Sequence, residues 1–232
     1  MLRYGEHLPY RTFPTLGEGS TPLIDLPALA ERLGVRQLWV KNEGQNPTGS
    51  HKDRLSALVV ARALDLGRRT VVAASSGNQG VSLAVYAAAV GLDCEIVTTR
   101  QVHDSWREAI TSTGARLVTC DHPLDRWRYV ERVVAEKGYY PATNFINPPV
   151  GSNPYGVQGF KTVAFEIAEE LAAQPPTVVL VPCSRGDLLW GAWQGFREAH
   201  AAGWLPALPR MVAVEPFPRI GRVLSGADYR GQ

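Results

Sequence analysis

Between residues 37 and 137, short β-branched runs alternate with segments of helical period, and this alternation restricts the chain to a parallel sheet covered by helices. Gln37–Lys41 (QLWVK) reads as a short strand. Lys52 to Gly67 carries apolar residues at Leu55, Leu58, Val59, Ala63 and Leu66, a helical spacing closed by a glycine. Thr70–Ala74 (TVVAA) reads as a buried strand, which SSGNQG turns into an Ala-rich helix over Val81–Val90. Strands at Cys94–Thr98 and Arg116–Thr119 then alternate with helices at Ser105–Thr113 and Leu124–Lys137.

Gly138 to Gly156 interrupts the pattern. It holds Pro141, Pro148, Pro149 and Pro154 among Gly and Asn residues and reads as a structured loop. A helix over Val157–Ala173, a strand over Val178–Val181, a helix over Leu188–Ala202 and a strand over Met211–Val214 follow. The expected fold is α/β, with parallel or mixed sheets flanked by helices in two lobes. Residues 55–140 form the smaller lobe; residues 1–54 and 141–232 together form the larger one. Right-handed connections put the strand C-termini on one edge, where ligands bind in open α/β sheets.

Charge narrows the partners. The 24 basic and 22 acidic residues leave a net charge of +2 without a long run of either sign, which argues against nucleic acid or an anionic membrane. The three cysteines match no metal-ligand spacing, so free thiols in a cytoplasmic protein and no bound metal are expected. MLRYGEHLPYRTF lacks the apolar centre of a signal peptide, and the mostly apolar stretch Val81–Leu92 is too short to span a bilayer. No G-x-G-x-x-G follows a strand, which disfavours a generic nucleotide-binding domain.

Three polar loops lie where strands end and helices begin. Asn46-Pro-Thr-Gly-Ser-His-Lys-Asp-Arg54 sets Lys52 at a helix N-terminus, whose partial positive charge favours a neutral, nucleophilic amine. The plainer alternative is a solvated lysine paired with Asp53 or Asp104. Ser75-Ser-Gly-Asn-Gln-Gly80 leaves backbone N–H groups open to a carboxylate or phosphate, or else is only a helix cap formed by Ser75 or Ser76. Pro182-Cys-Ser-Arg-Gly-Asp-Leu188 suggests a phosphate cradle with Arg185 in support. Asp187 opposes an anion there unless it is held off or paired, and it reads equally as a cap of the next helix.

Taken together, these loops resemble those of pyridoxal-phosphate enzymes of fold type II, and most closely the threonine synthases. Arg3-Tyr4 and Leu8-Pro9 are similar to that family's opening, and Leu16-Gly-Glu-Gly-Ser-Thr-Pro-Leu23 resembles its LGEG-x-TPL signature. Lys41-Asn-Glu, the loop around Lys52, Ser75-Ser-Gly-Asn78, Asn153-Pro-Tyr, Gly159-Phe-Lys-Thr162, Phe165-Glu-Ile167 and Val181-Pro182 follow in the family's order. The resemblance implies pyridoxal 5'-phosphate as cofactor, held by Lys52 as an internal aldimine. It implies that Asn78 bonds the cofactor ring oxygen and that Ser184, Arg185, Gly186, Asp187 and Leu188 hold the cofactor phosphate. Ser75, Ser76, Gly77, Asn78 and Gln79 would bind the α-carboxylate of a small amino-acid substrate undergoing β- or γ-elimination or replacement.

The departures from that pattern are equally concrete. His51 stands where the family has Phe or Tyr, and Asp187 stands where glycine is expected. Gly156 replaces an arginine suited to a substrate phosphate, which argues against O-phosphohomoserine. The family also continues beyond a strand like MVAVEP, so a homodimer or a second chain is expected to complete the fold. A catalytically inactive relative serving as a partner or binding subunit is the alternative that these departures favour.

Overall fold

The computed structural model describes residues 1–145 and 152–227. After a 3-10 helix (Leu2–His7) come strand β1 (Leu23–Asp25), helix α1 (Pro27–Leu33) and strand β2 (Trp39–Lys41). There follow α2 (Lys52–Asp65), β3 (Thr70–Ala74), α3 (Asn78–Ala89), β4 (Asp93–Thr99), α4 (Asp104–Thr111), β5 (Arg116–Cys120), α5 (Asp125–Lys137) and β6 (Tyr140–Pro141). Helices α6 (Pro154–Gln158) and α7 (Lys161–Glu170), strand β7 (Val178–Pro182), helix α8 (Asp187–Ala201), strand β8 (Arg210–Val214) and helix α9 (Arg219–Leu224) complete the order.

The central sheet runs β5-β4-β3-β6, with every pairing parallel. β3 lies inside it, so both of its faces must be covered, and Val71, Val72 and Ala73 are wholly buried. One face packs Val71, Ala73 and Ile96 against Leu58 and Val59 of α2 and Leu83 of α3. The other packs Val72, Ala74 and Val97 against Val130 and Val133 of α5. Full burial of each large aliphatic side chain stabilises by roughly 1.5–3 kcal/mol relative to exposure. A further core joins Phe165 of α7 and Phe196 of α8 to Val179 and Met211 of the parallel β7–β8 pair.

Several elements differ from the expectation. The helix expected over Val157–Ala173 is two helices, α6 and α7. A side chain at Gly159 would collide with the backbone carbonyl of Arg54, so α2 crosses closely there, at the break between them. The Gly138–Gly156 segment is not wholly loop: Tyr140–Pro141 pairs with β3, and α6 begins at Pro154, while residues 146–151 lie outside the described set. The helix expected from Val81 starts at Asn78. β1, α1 and α9 are elements that the periodicity of these short stretches does not reveal.

A buried ionic cluster holds α2 to α7. Arg54, with no exposure, donates from Nε to Glu43 Oε2 at 2.7 Å and from Nη1 to Thr162 Oγ1 at 2.8 Å. Lys41 of β2 lies 3.0 Å from Glu166 Oε2 in the same cluster. Lys52 is two residues ahead of this anchor. Beside it, an apolar groove of about 710 Å³ separates β2 from β7, floored by Val163 and Phe196. Leu180, on the face of β7 turned from the helices, is 60% exposed.

Candidate active site

Lys52 is the first residue of α2, where its charge meets the positive end of the helix. Burial pushes its ammonium below the ordinary lysine value; the Asp187 carboxylate opposes that shift and Arg185 adds to it. Its Nζ lies 5.4 Å from the centre of the Phe160 ring. The carboxylates that would make it an ordinary paired lysine are engaged elsewhere. Asp53 accepts from the Thr48 backbone N–H at 2.7 Å and from the Thr48 hydroxyl, and Asp104 pairs with Arg107 at 3.7 Å. His51 packs against Phe160 with ring centres 5.5 Å apart and planes tilted by 52°. Burial, then the charge of Lys52, lowers the His51 imidazole to about 4.

In the loop before α3, Ser75 Oγ accepts from the N–H of Gly80 at 2.9 Å and of Gly77 at 3.3 Å. Ser75 therefore shapes the turn, while the cap position of α3 is held by Gly77 and by neither serine. Ser76 is exposed; its hydroxyl lies 2.9 Å from Thr98 Oγ1 and accepts from Arg126 Nη1 at 3.1 Å. A Cβ at Gly77 would touch the Trp106 ring at 3.8 Å. Asn78 and Gln79 belong to the first turn of α3, where backbone N–H groups have no partner within the helix. Asn78 is exposed, and Gln79 carries a buried Nε2 donor with no hydrogen-bond partner among the described residues.

The loop before α8 turns at Gly186, whose φ of +90° suits glycine, and open space lies where a side chain would stand. Asp187 is not the cap of α8. It is the first helical residue, buried, and accepts from Ser152 Oγ at 2.7 Å. Ser184 and Arg185 are exposed, and the Arg185 guanidinium lies 5.8 Å from the Trp127 ring centre on α5. Leu188 points into the core.

The fold thus brings Lys52 within the electrostatic reach of Asp187 and Arg185, and Arg126 holds the Ser76 hydroxyl. Phe160, Trp127, Arg126 and Ser152 were not singled out by any sequence motif as site residues; they arrive through helix packing. Gly156 also has a local explanation. A Cβ there would lie 2.7 Å from Leu55 Cγ and 2.8 Å from Val59 Cγ2, so position 156 faces α2. Its lack of a side chain follows from that contact, which weakens its use as a sign of substrate choice.

The chain is similar to the threonine synthase of Methanosarcina acetivorans, with 32% identity over 97% of this chain and 55% of that protein. It is 35% identical to the threonine synthase of Methanocaldococcus jannaschii over 92% of this chain and 52% of that one. It therefore spans about half the length of the curated relatives it matches. Among solved structures, O-ureido-L-serine synthase superposes with a TM-score of 0.75 at 27% identity, covering 91% of this chain and 65% of that one. The apo diaminopropionate ammonia lyase of Escherichia coli shares the fold with a TM-score of 0.71 at 20% identity, covering 86% and 60%. The profile of the pyridoxal-phosphate dependent enzymes matches residues 14–229, and with α/β architecture and motif order in agreement, the chain belongs to that family.

Proposed function

We propose that the protein, with pyridoxal 5'-phosphate, carries out a threonine synthase-like elimination or replacement at the β- or γ-carbon of an amino acid, with Lys52 as the residue that holds the cofactor. The observation that carries this reading is the setting of Lys52, a half-buried amine at a helix N-terminus to which no carboxylate among the described residues is bonded. Both burial and the helix end favour the neutral amine, the form that reacts with an aldehyde.

The donor set supports a fit to the cofactor. The Gln79 amide is a buried donor with no partner among the described residues, and Gly186 leaves open space beside the N-terminus of α8. Asp187, the residue least suited to a phosphate, has its carboxylate occupied by the Ser152 hydroxyl. When bound, the cofactor supplies the electron sink that makes a substrate Cα–H acidic.

In this reading the Lys52 amine also holds the proton exchanged at Cα, and Asn78 donates to the cofactor's ring oxygen. Ser76, Gly77 and Gln79 offer donors to the substrate carboxylate at the positive end of α3, while Ser75 keeps the turn in shape. Residues 184–188 hold the cofactor phosphate chiefly through backbone N–H groups, since Arg185 turns toward Trp127. Trp106 and Phe160 keep water from the reacting atoms. The cleft lies between a smaller lobe of residues 55–140 and a larger one of residues 1–54 and 141–232, and a homodimer is the proposed assembly.

Mixing the protein with pyridoxal 5'-phosphate and recording its visible absorption tests the assignment. A violet absorption band present in the native protein and missing from a folded Lys52→Ala variant is expected. The same band in both proteins would remove Lys52 from this role. A native protein that is folded but gives no band would favour the inactive relative.

A further inference from the structure

Phe160 presents its ring to the end of the Lys52 side chain. Lys52 Nζ stands over the ring face, 5.4 Å from its centre, a distance at which the aromatic quadrupole attracts an ammonium. Among the described residues, Nζ makes neither a hydrogen bond nor an ion pair. A half-buried cation with no acceptor is costly, and the ring face is what offsets that cost here.

The ring is the fixed partner. Phe160 is wholly buried, directly before α7, and its backbone N–H donates to the Val157 carbonyl at 3.1 Å. A Cβ at Gly191 of α8 would lie 2.5 Å from Phe160 Cβ, so α8 closes on the residue from another side. His51 packs on the same ring. Lys52, by contrast, carries its charge on a flexible four-carbon stem.

The charged and titratable groups that face the amine are Asp187 at the start of α8, Arg185 in the loop before it, and His51 beside it in the chain. Burial and Arg185 favour the neutral amine, and Asp187 favours the ammonium. A ring face attracts the ammonium and has no comparable hold on the neutral amine, so Phe160 acts in the same direction as Asp187.

We propose that Phe160 is a positioning residue for Lys52, whose ring face parks the ammonium and keeps the amine unreactive until a bound carbonyl group draws it away. The inference rests on the proposed function for that carbonyl, and on the geometry alone for the contact.

The contact is measured without cofactor. The full chain is pulsed with acetic anhydride across a pH series and acetylation of Lys52 is read by mass spectrometry, because only the neutral amine reacts. In Phe160→Leu the midpoint should fall by about one pH unit below that of the native protein, the size of a desolvated cation–ring contact. Phe160→Tyr keeps a ring and should keep the native midpoint. An unchanged or raised midpoint in Phe160→Leu would overturn the proposal. A purely structural role would loosen the packing and admit water, which raises an amine's midpoint instead of lowering it.

A second measurement leaves Phe160 in place, and so stands even where Phe160→Leu does not fold. In nuclear magnetic resonance with isotope-labelled lysine, the ε-methylene signal that Lys52→Ala removes should lie upfield of the other lysine signals, displaced by the ring current. A Lys52 signal among those of exposed lysines would overturn the contact. The absorption comparison with Lys52→Ala reads the proposed function separately. A lowered midpoint in Phe160→Leu, where the native protein gives no absorption band, means that the function fails and the contact stands.

Discussion

Arg54 and Glu166 face each other in a bidentate ion pair, Nη1 to Oε1 at 2.7 Å and Nη2 to Oε2 at 2.8 Å, with both side chains shut off from solvent. The pair joins the first turn of α2 to α7 and so fixes the backbone that carries Lys52. Arg54→Met would leave Glu166 and Glu43 charged and poorly compensated. A loss of about 3–5 kcal/mol is expected in urea unfolding. Converting the pair to apolar residues, Arg54→Met with Glu166→Leu, should cost less than the single change. An unchanged unfolding midpoint for Arg54→Met would show that the cluster contributes no net stability.

Acid sensitivity should come in two windows. Burial, helped by the charge of Lys52, holds His51 at about 4 against an ordinary 6.5. Its neutral form is thus favoured in the folded state, and its contribution is complete above pH 6.5 and lost as pH falls toward about 4. Glu166 is pushed up by burial but held down to about 2 by Arg54, with Lys41 helping, so its contribution is lost between its ordinary 4.5 and about 2. Stability measured by urea midpoint across pH should lose the upper window alone in His51→Phe. A variant profile that still falls between pH 6.5 and 4 as steeply as the native one would exclude His51 as the source.

Asp187 raises the pKa of Lys52 while burial lowers it. Asp187→Asn removes that support for the ammonium, so more of the amine is neutral at a given pH. The pH midpoint for appearance of the cofactor absorption band should move down, and cofactor affinity should rise as a negative charge leaves the phosphate's neighbourhood. Movement of the midpoint to higher pH would mean that the carboxylate acts on something other than the amine.

Packing at Gly156 sets a third measurable cost. An added Cβ meets Leu55 and Val59 at 2.7 and 2.8 Å, inside normal contact, and both belong to the core. Gly156→Ala should destabilise by about 1–3 kcal/mol in thermal or urea unfolding, and Gly156→Arg by more. Equal stability of Gly156→Arg would mean that α6 can shift and that the position is free to face the cleft.

What the sequence by itself determined is local. The buried runs at Thr70–Ala74 and Cys94–Thr98 and the helical spacing after Lys52 set the α/β order, because side-chain period and burial are written in neighbouring residues. The Gly- and Ser-containing loops between strand and helix were legible for the same reason, and the resemblance added their order and candidate roles. Only the tertiary structure decided which distant groups meet. The crossing of α2 at Gly159 marks the break between α6 and α7, and the walls of Leu55 and Val59 explain Gly156. The approach of Arg185 to Trp127, of Arg126 to Ser76 and of Ser152 to Asp187 depends on how helices pack across loops. Such contacts leave no periodic trace, since the energy that favours them belongs to pairs of residues far apart in the chain.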